Sequence, residues 1–143
     1  MGIKLLNDFK LFCNAKTPSY FALKDFLRIT HNHKKFLKNS SGKNGETSRF
    51  CLHNDPQDSL HVMLIYHPYK KLIPEQIFKN TDSYYLILEG KISLTNLETK
   101  ERIILDKKNF LGKVGSNIPY QMEIISENVL FIEIRERNTK EKL

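Results

Sequence analysis

The sequence has no long hydrophobic run. Its longest apolar stretches, such as Tyr84–Leu88 and Val129–Ile132, are far shorter than the ~20 residues that a helix needs to cross a bilayer. The first residues also lack the apolar core and small-residue cleavage site of a secretory signal. These absences argue against a helical membrane protein, and we expect a cytoplasmic protein with no membrane partner.

Cysteine is also scarce. Cys13 and Cys51 are isolated, with no Cys-x-x-Cys pair and no dense framework of the kind that holds small secreted domains together. A chain of 143 residues forms one domain that buries roughly two thirds of the surface of its unfolded form, so it needs neither disulfides nor metals for stability. Both cysteines are expected to be buried thiols.

Acidic residues are few in the first third of the chain. Residues 1–50 carry ten Lys or Arg and three Asp or Glu, whereas residues 51–143 carry thirteen of each. The whole formal charge of +7 therefore lies in an amino-terminal arm. Nucleic-acid binding would favour a basic face spread over the folded surface, so we do not expect a nucleic-acid partner.

Apolar residues of the arm recur at helical spacing. Those within Ile3–Cys13 fall three and four apart and predict a short helix. Thr17 and Pro18 are typical of an N-cap followed by proline at the first helical position, and they predict a second helix that runs to about Thr30. The polar, glycine-containing segment Asn39–Thr47 predicts a mobile loop.

After Ser48 the spacing of apolar residues changes to two, which is typical of an all-β sandwich or barrel. Gly90 lies in a two-residue connection that predicts a tight hairpin, and Asn96–Lys100 predicts a second turn. Eight strands suffice to close a small barrel. The predicted strands are Arg49–His53, Leu60–His67, Leu72–Ile77, Ser83–Glu89, Lys91–Asn96, Arg102–Leu105, Tyr120–Ile125 and Val129–Arg135.

Several segments of this β region together resemble the WbuC family of cupin-fold proteins. The most specific are Arg49–His53, which reads Arg-Phe-Cys-Leu-His, and the Leu-Glu-Gly turn that ends at Gly90. Weaker matches that follow a generic β pattern are Leu60–Ile65, Pro74, Asn117–Pro119 and Val129–Ile134. The resemblance covers residues 49–135, whereas Thr17–Thr47 looks like an insertion.

The resemblance implies a mainly β chain whose fold is a cupin-like small β-barrel, a double-stranded β-helix or jelly roll, with a short helical N-terminal arm. The predicted division is a basic helical arm and loop at 1–46, the barrel at 47–136 and a charged tail at 137–143. In this family the barrel normally holds a divalent metal. The family's genes tend to lie among those for surface-polysaccharide biosynthesis.

A cupin metal site needs imidazoles and a carboxylate at alternating strand positions, because only residues two apart face the same interior. The family pattern places a His-x-His after Pro74, a glutamate seven residues before Gly90 and a histidine after the Ile-Pro turn. The residues at those places here are Glu75–Phe78, Ser83 and Tyr120. A shifted alignment offers only Asp82 and Glu75, which hold a transition metal poorly without nitrogen ligands. We therefore expect no metal and no other cofactor.

The remaining histidines are not expected to bind a metal. His31 and His33 would diverge by roughly 200° on a helix, and we interpret them as a solvated helix end. His61 and His67 share one face of their strand, opposite a more apolar Leu/Val face that we expect to look inward. They are therefore expected outside the barrel or at a homodimer interface.

The candidate ligand site is the mouth of the barrel. Arg49 and His53 share one strand face, where a guanidinium could hold a carboxylate or phosphate in a bidentate fork. The other interpretation pairs Arg49 with a local acid and makes His53 a loop cap. Tyr85 and Tyr120 are expected inside the barrel, where they either fill the space of a hydrated metal or bind ligand. The ligand-binding candidates are Arg49, His53, Glu75, Gln76, Tyr85 and Tyr120.

Three functions follow. The first is a metal-free sugar- or sugar-phosphate-binding or accessory protein of surface-polysaccharide biosynthesis, with a carbohydrate or anionic small molecule as its ligand. The second is a metal-independent sugar-nucleotide isomerase or epimerase whose acid and base come from His53, Tyr85, Tyr120 and Glu75. The third is a non-catalytic structural or interaction module, a dimer whose basic arm binds an acidic partner.

Overall fold

The computed structural model describes residues 7–12, 18–44 and 46–138. No helix among these residues has the length and apolarity needed to span a membrane. The strands are β1 (Phe9–Leu11), β2 (Ser19–Ala22), β3 (Ser48–Cys51), β4 (Leu60–His67), β5 (Lys71–Gln76), β6 (Thr81–Glu89), β7 (Ile92–Asn96), β8 (Arg102–Leu105), β9 (Leu111–Val114), β10 (Tyr120–Ile124) and β11 (Val129–Arg137). The helix is α1 (His31–Asn44).

The strands form two sheets that face each other as a jelly roll. The larger sheet has the order β1-β2-β3-β4-β11-β6-β9, and the smaller has the order β5-β10-β7-β8. One core lies between them, because Met63 and Ile87 of the larger sheet pack in the same buried cluster as Ile92 and Met122 of the smaller. The predicted mainly β jelly-roll architecture is confirmed, as two facing sheets.

A second core covers the other face of the larger sheet. Phe50, Leu64 and Leu130 point away from the first core and pack with Leu37 of α1. Lys38 on the same helix donates a hydrogen bond to Glu89 Oε1 at 2.6 Å, which ties α1 to the end of β6. The large sheet is therefore covered on both faces, so an apolar side chain in it need not point into the jelly roll.

The predicted arm helices are wrong within the described residues. β1 and β2 are antiparallel strands, and β2 also pairs in parallel with β3. Short apolar spacing cannot distinguish a helix from a strand, and here pairing with β3 brings Phe9 against Phe50, with ring centroids 4.7 Å apart. Residues 1–6 and 13–17, including the predicted cap at Thr17 and the thiol of Cys13, lie outside the described part of the chain.

Helix α1 instead occupies the region predicted as a helix end and a loop. Its start is capped from both sides: the Thr30 backbone N–H donates to His33 Nδ1 at 2.9 Å, and the Thr30 hydroxyl lies 3.0 Å from the same atom. His33 thus takes the place of the glutamate or glutamine in a capping box. It is buried against Phe9 and Phe50, so the prediction that it is solvated is wrong.

All eight predicted strands are present, but one connection differs. Glu89 and Ile92 belong to different sheets, so the turn at Gly90 is a crossing between sheets and not a hairpin. Gly90 has φ of +89°, and a Cβ there would lie 2.4 Å from the carbonyl oxygen of Asn128. The predicted arm boundary at residue 46 also divides strands that pair with each other, because β2 lies beside β3.

Candidate ligand-binding site

Strand β11 carries two charged residues into the interior. It lies between β4 and β6, and the register sets Glu133 opposite Met63 and Tyr85. Arg135 follows two residues later, opposite His61 and Ser83. Since side chains two apart share a face of a sheet, these two rows point the same way, toward the smaller sheet.

Glu133 and Arg135 form a buried ion pair. Arg135 Nε lies 2.5 Å from Glu133 Oε2, and Glu133 is only 3% exposed. The guanidinium carbon of Arg135 also lies 4.1 Å from the centre of the Phe78 ring, a cation–π contact. Burial raises the pKa of Glu133, while Arg135 and Arg49 act in the opposite direction. A carboxylate in direct contact with a permanently charged guanidinium is ionised at neutral pH.

Two imidazoles stack beside this pair. The rings of His53 and His61 are 4.1 Å apart and nearly parallel. The backbone N–H of Val62 donates to His53 Nδ1 at 3.2 Å, so the proton of neutral His53 is on Nε2. Burial, followed by the neighbouring His61, lowers the pKa of His53 to about 4. His61 Nε2 is buried and has no hydrogen-bond partner among the described residues.

These groups line a cavity of about 480 Å³ beside β3 and β4. Its size falls within the range of roughly 300–1,000 Å³ that is usual for small-molecule sites. The residues that matter here are Phe12, Phe21, Arg49, His53, His61 and Arg135. Cys51 also lines the cavity, but burial raises the pKa of its thiol to about 12, so it is a neutral wall residue and not a nucleophile. It confirms the predicted buried thiol.

The two tyrosines meet in the core. Tyr85 and Tyr120 are 0% and 2% exposed, and their hydroxyl oxygens are 2.6 Å apart. Burial raises the pKa of both phenols, so both are neutral at pH 7. Tyr120 also borders a second, smaller cavity of about 230 Å³ with Glu101 and Lys113.

The six predicted site residues therefore lie in three places. Arg49 and His53 share the larger cavity, and Tyr85 and Tyr120 share the buried hydroxyl pair. Glu75 is exposed and Gln76 half-buried on β5, and neither lines either cavity. The register of β5 against β10 shifts between Tyr120 and Met122, which breaks the alternation from which an inward Glu75 was expected.

The outward position predicted for His61 and His67 is wrong. His61 lines the cavity, and His67 is 7% exposed, with its Nδ1 2.7 Å from the Thr47 hydroxyl. The apolar face of β4 looks outward because the arm and α1 cover it. Sequence reasoning also missed Glu133 and Arg135, although two charges spaced two apart in the apolar strand Val129–Ile134 and its extension were a usable signal.

The residues do not fit the divalent metal that a cupin-type barrel can hold. Within the described ranges, no three His, Cys, Asp or Glu side chains come together. The hydroxyl pair of Tyr85 and Tyr120 occupies the interior, and the carboxylate of Glu133 already faces Arg135 and Arg49. Two guanidiniums beside one paired carboxylate oppose a cation.

The chain matches no protein-family model and no curated protein. Among solved structures it is similar to the cupin domain of Cnp3 from Schizosaccharomyces pombe, with a TM-score of 0.57 and 20% identity over 67% of this chain and 64% of that chain. It is also similar to a cupin superfamily protein from Desulfitobacterium hafniense (TM-score 0.52, 16% identity, 63% and 78% covered) and to KdgF from Halomonas sp. (0.54, 11%, 70% and 86%). This chain spans less than two thirds of the Cnp3 chain. These identities show a shared cupin fold and nothing about function.

Proposed function

We propose that this cupin-fold protein binds an anionic sugar in the cavity beside β3 and β4, and that it does so without a metal. The observation that carries the proposal is the composition of the cavity wall. Two guanidiniums, from Arg49 and Arg135, and two stacked imidazoles, from His53 and His61, face one volume of about 480 Å³. Such a wall offers many hydrogen-bond donors and an excess of positive charge, which suits an anion.

The arginines supply the charge recognition. Arg49 lies on β3 with Nη1 4.0 Å from the sulfur of Met63, and Arg135 lies on β11 against Glu133. A guanidinium in a partly buried site binds a carboxylate or phosphate through charge-assisted hydrogen bonds that are stronger than neutral ones. An anionic group on the ligand is therefore the feature that this wall recognises best.

The histidines and aromatic residues supply the contacts for a polyhydroxylated body. Neutral His53 has its proton on Nε2, and His61 Nε2 has no partner among the described residues, so both can exchange hydrogen bonds with hydroxyl groups. Phe12 and Phe21 form an apolar side of the same cavity. A sugar has both kinds of surface, with hydroxyl groups at its edge and C–H groups on its faces.

The resemblance of residues 49–135 to the WbuC family supports a biological setting for this ligand. In that setting the protein is a binding or accessory protein of surface-polysaccharide biosynthesis. Binding is favoured over isomerase or epimerase catalysis because the candidate acid and base groups are apart. His53 faces the cavity, whereas the hydroxyls of Tyr85 and Tyr120 are paired with each other in the core.

Isothermal titration of the purified protein with D-glucuronate, D-glucose 6-phosphate and D-glucose tests the proposal. At least one of the two anionic sugars is expected to bind, and Arg49→Ala is expected to weaken that binding by roughly ten- to a hundredfold, the effect of losing one charge-assisted bond. Arg102→Ala, on an exposed part of β8, is the matched control and should change nothing. If neither anionic sugar binds a folded wild-type protein, or Arg49→Ala binds as the wild type does, the proposal is wrong.

A further inference from the structure

We infer that the ligand carries a single negative charge, a carboxylate, and that Glu133 sets this preference by neutralising one of the two guanidiniums at the cavity. This inference rests on the proposed function, because it concerns the same site. It assigns a role to a buried carboxylate that otherwise has none in binding. Glu133 is then a positioning and specificity-determining residue that acts through Arg135.

The charge count of the site supports a monoanion. Arg49 and Arg135 are permanently positive, and Glu133 is in contact with Arg135. His53 is neutral, because burial lowers its pKa to about 4. Asp58 is near His53, but it accepts N–H groups of its own loop and does not line the cavity. The described cavity residues thus sum to one positive charge, which one carboxylate balances.

A dianion fits this balance less well. A phosphate monoester carries about −1.5 to −2 charges near neutral pH, so its arrival leaves uncompensated negative charge beside buried Glu133. Uncompensated charge in a partly desolvated site is costly. A neutral sugar has the opposite defect, since it leaves the positive charge of the wall unpaired.

The geometry of Arg135 favours the two oxygens of a carboxylate. Its Nε lies against Glu133, and one face of its guanidinium covers Phe78. The two terminal nitrogens are the donors that remain, and no described side chain is recorded as their hydrogen-bond partner. Two donors fixed in one plane match the two oxygens of a carboxylate in a bidentate pair.

Three sugars that share one ring and differ at the sixth carbon separate these cases: D-glucuronate, D-glucose 6-phosphate and D-glucose. At about pH 8, above the usual titration range of histidine, the wild type should bind D-glucuronate at least about tenfold more tightly than D-glucose 6-phosphate and D-glucose. Glu133→Gln keeps the size of the side chain and removes its charge. It should shift the ratio of the two anion affinities by about tenfold or more toward D-glucose 6-phosphate.

Glu136→Gln is the matched control, since it removes the same charge from an exposed position on the same strand. It should leave the affinity ratio as in the wild type. Equal weakening of all three sugars in Glu133→Gln, or an unchanged ratio, would mean that Glu133 only holds the fold, and the inference would be wrong. Anion binding that depends on Arg49 but does not prefer D-glucuronate overturns the inference and leaves the proposed function standing.

A second variant keeps the test decisive if Glu133→Gln does not fold. Arg135→Gln leaves Arg49 and Glu133 with no net charge, so D-glucuronate affinity should fall at least about tenfold, while D-glucose affinity stays within about twofold. Arg137→Ala, exposed at the end of the same strand, controls for general effects on β11. Unchanged D-glucuronate binding in Arg135→Gln contradicts the inference.

Discussion

Acid should destabilise this fold through a buried histidine. His67 is 7% exposed, its ring stacks on Phe131, and its Nδ1 lies 2.7 Å from the Thr47 hydroxyl. Burial, and then the nearby charges of Lys71 and Arg49, lower the pKa of His67 to about 4, from 6.5. The folded protein therefore resists taking up a proton that the unfolded chain accepts.

The sign and size follow from proton linkage. Because the folded pKa of His67 is below its unfolded value, its contribution to stability is complete above pH 6.5 and is lost as the pH falls toward about 4. Each unit of pKa difference is worth about 1.4 kcal/mol, which gives about 3 kcal/mol for His67. Burial raises the pKa of Glu133, and a raised carboxyl pKa stabilises the folded state on acidification. The two groups therefore act in opposite directions, and the His67 term must be isolated by mutation.

Urea unfolding at several pH values isolates it. The difference in unfolding free energy between the wild type and His67→Asn should shrink by about 3 kcal/mol between neutral pH and the folded pKa of His67, since Glu133 is common to both proteins. Thr47→Val removes the hydrogen bond but keeps the imidazole, so it should lower stability by about 1 kcal/mol at every pH. If the gap between the wild type and His67→Asn does not change with pH, His67 does not resist protonation in the fold.

Three further predictions concern the core. Tyr85→Phe and Tyr120→Phe should each cost about 1–3 kcal/mol by urea unfolding, and the double variant less than their sum, because each single change leaves one buried hydroxyl without its partner; additive costs would refute the pairing. Gly90→Ala should cost more than about 1 kcal/mol by the same assay, since alanine is strained at a positive φ, and a neutral effect would contradict the turn geometry. Deletion of residues 1–46 should abolish cooperative unfolding by exposing Phe50 and Leu64; a truncated chain of wild-type stability would establish residues 47–136 as an independent unit.

The strands were predictable because their signal is local. Alternating residues bounded by turn residues identify β3 to β8, β10 and β11 whatever packs against them. β9 (Leu111–Val114) has four residues and contains Gly112, so it shows no alternation, and it forms only by pairing with β6 at the sheet edge. The arm was mispredicted for a related reason, since β2 is a strand only because β3 lies beside it.

The direction in which strand faces point was less predictable. Alternation separates His61 and His67 from Leu64 and its apolar neighbours, but it does not tell which face meets the second sheet. The more apolar face is expected inside when one face of a sheet meets water. Here α1 covers that face, so the more polar one lines the interior and the cavity.

The candidate site was half predictable for the same physical reason. Arg49 and His53 lie on one short segment, so alternation alone brings them together. Arg135 and Glu133 lie far along the chain, and they reach the cavity only through the register of β11 against β4. Cross-strand register depends on the packing of whole faces, and a single sequence does not encode it at any one position.

The absence of metal ligands and the presence of an arginine wall have a common electrostatic origin. A divalent cation near Glu133 would stand close to the guanidiniums of Arg135 and Arg49, and repulsion between like charges is strong where water is largely excluded. A neutral hydroxyl pair in the interior, formed by Tyr85 and Tyr120, adds no positive charge there. It leaves Glu133 to balance one guanidinium, and the other positive charge stays available to a ligand. An interior without a cation is therefore what lets this cavity attract an anion through its side chains alone.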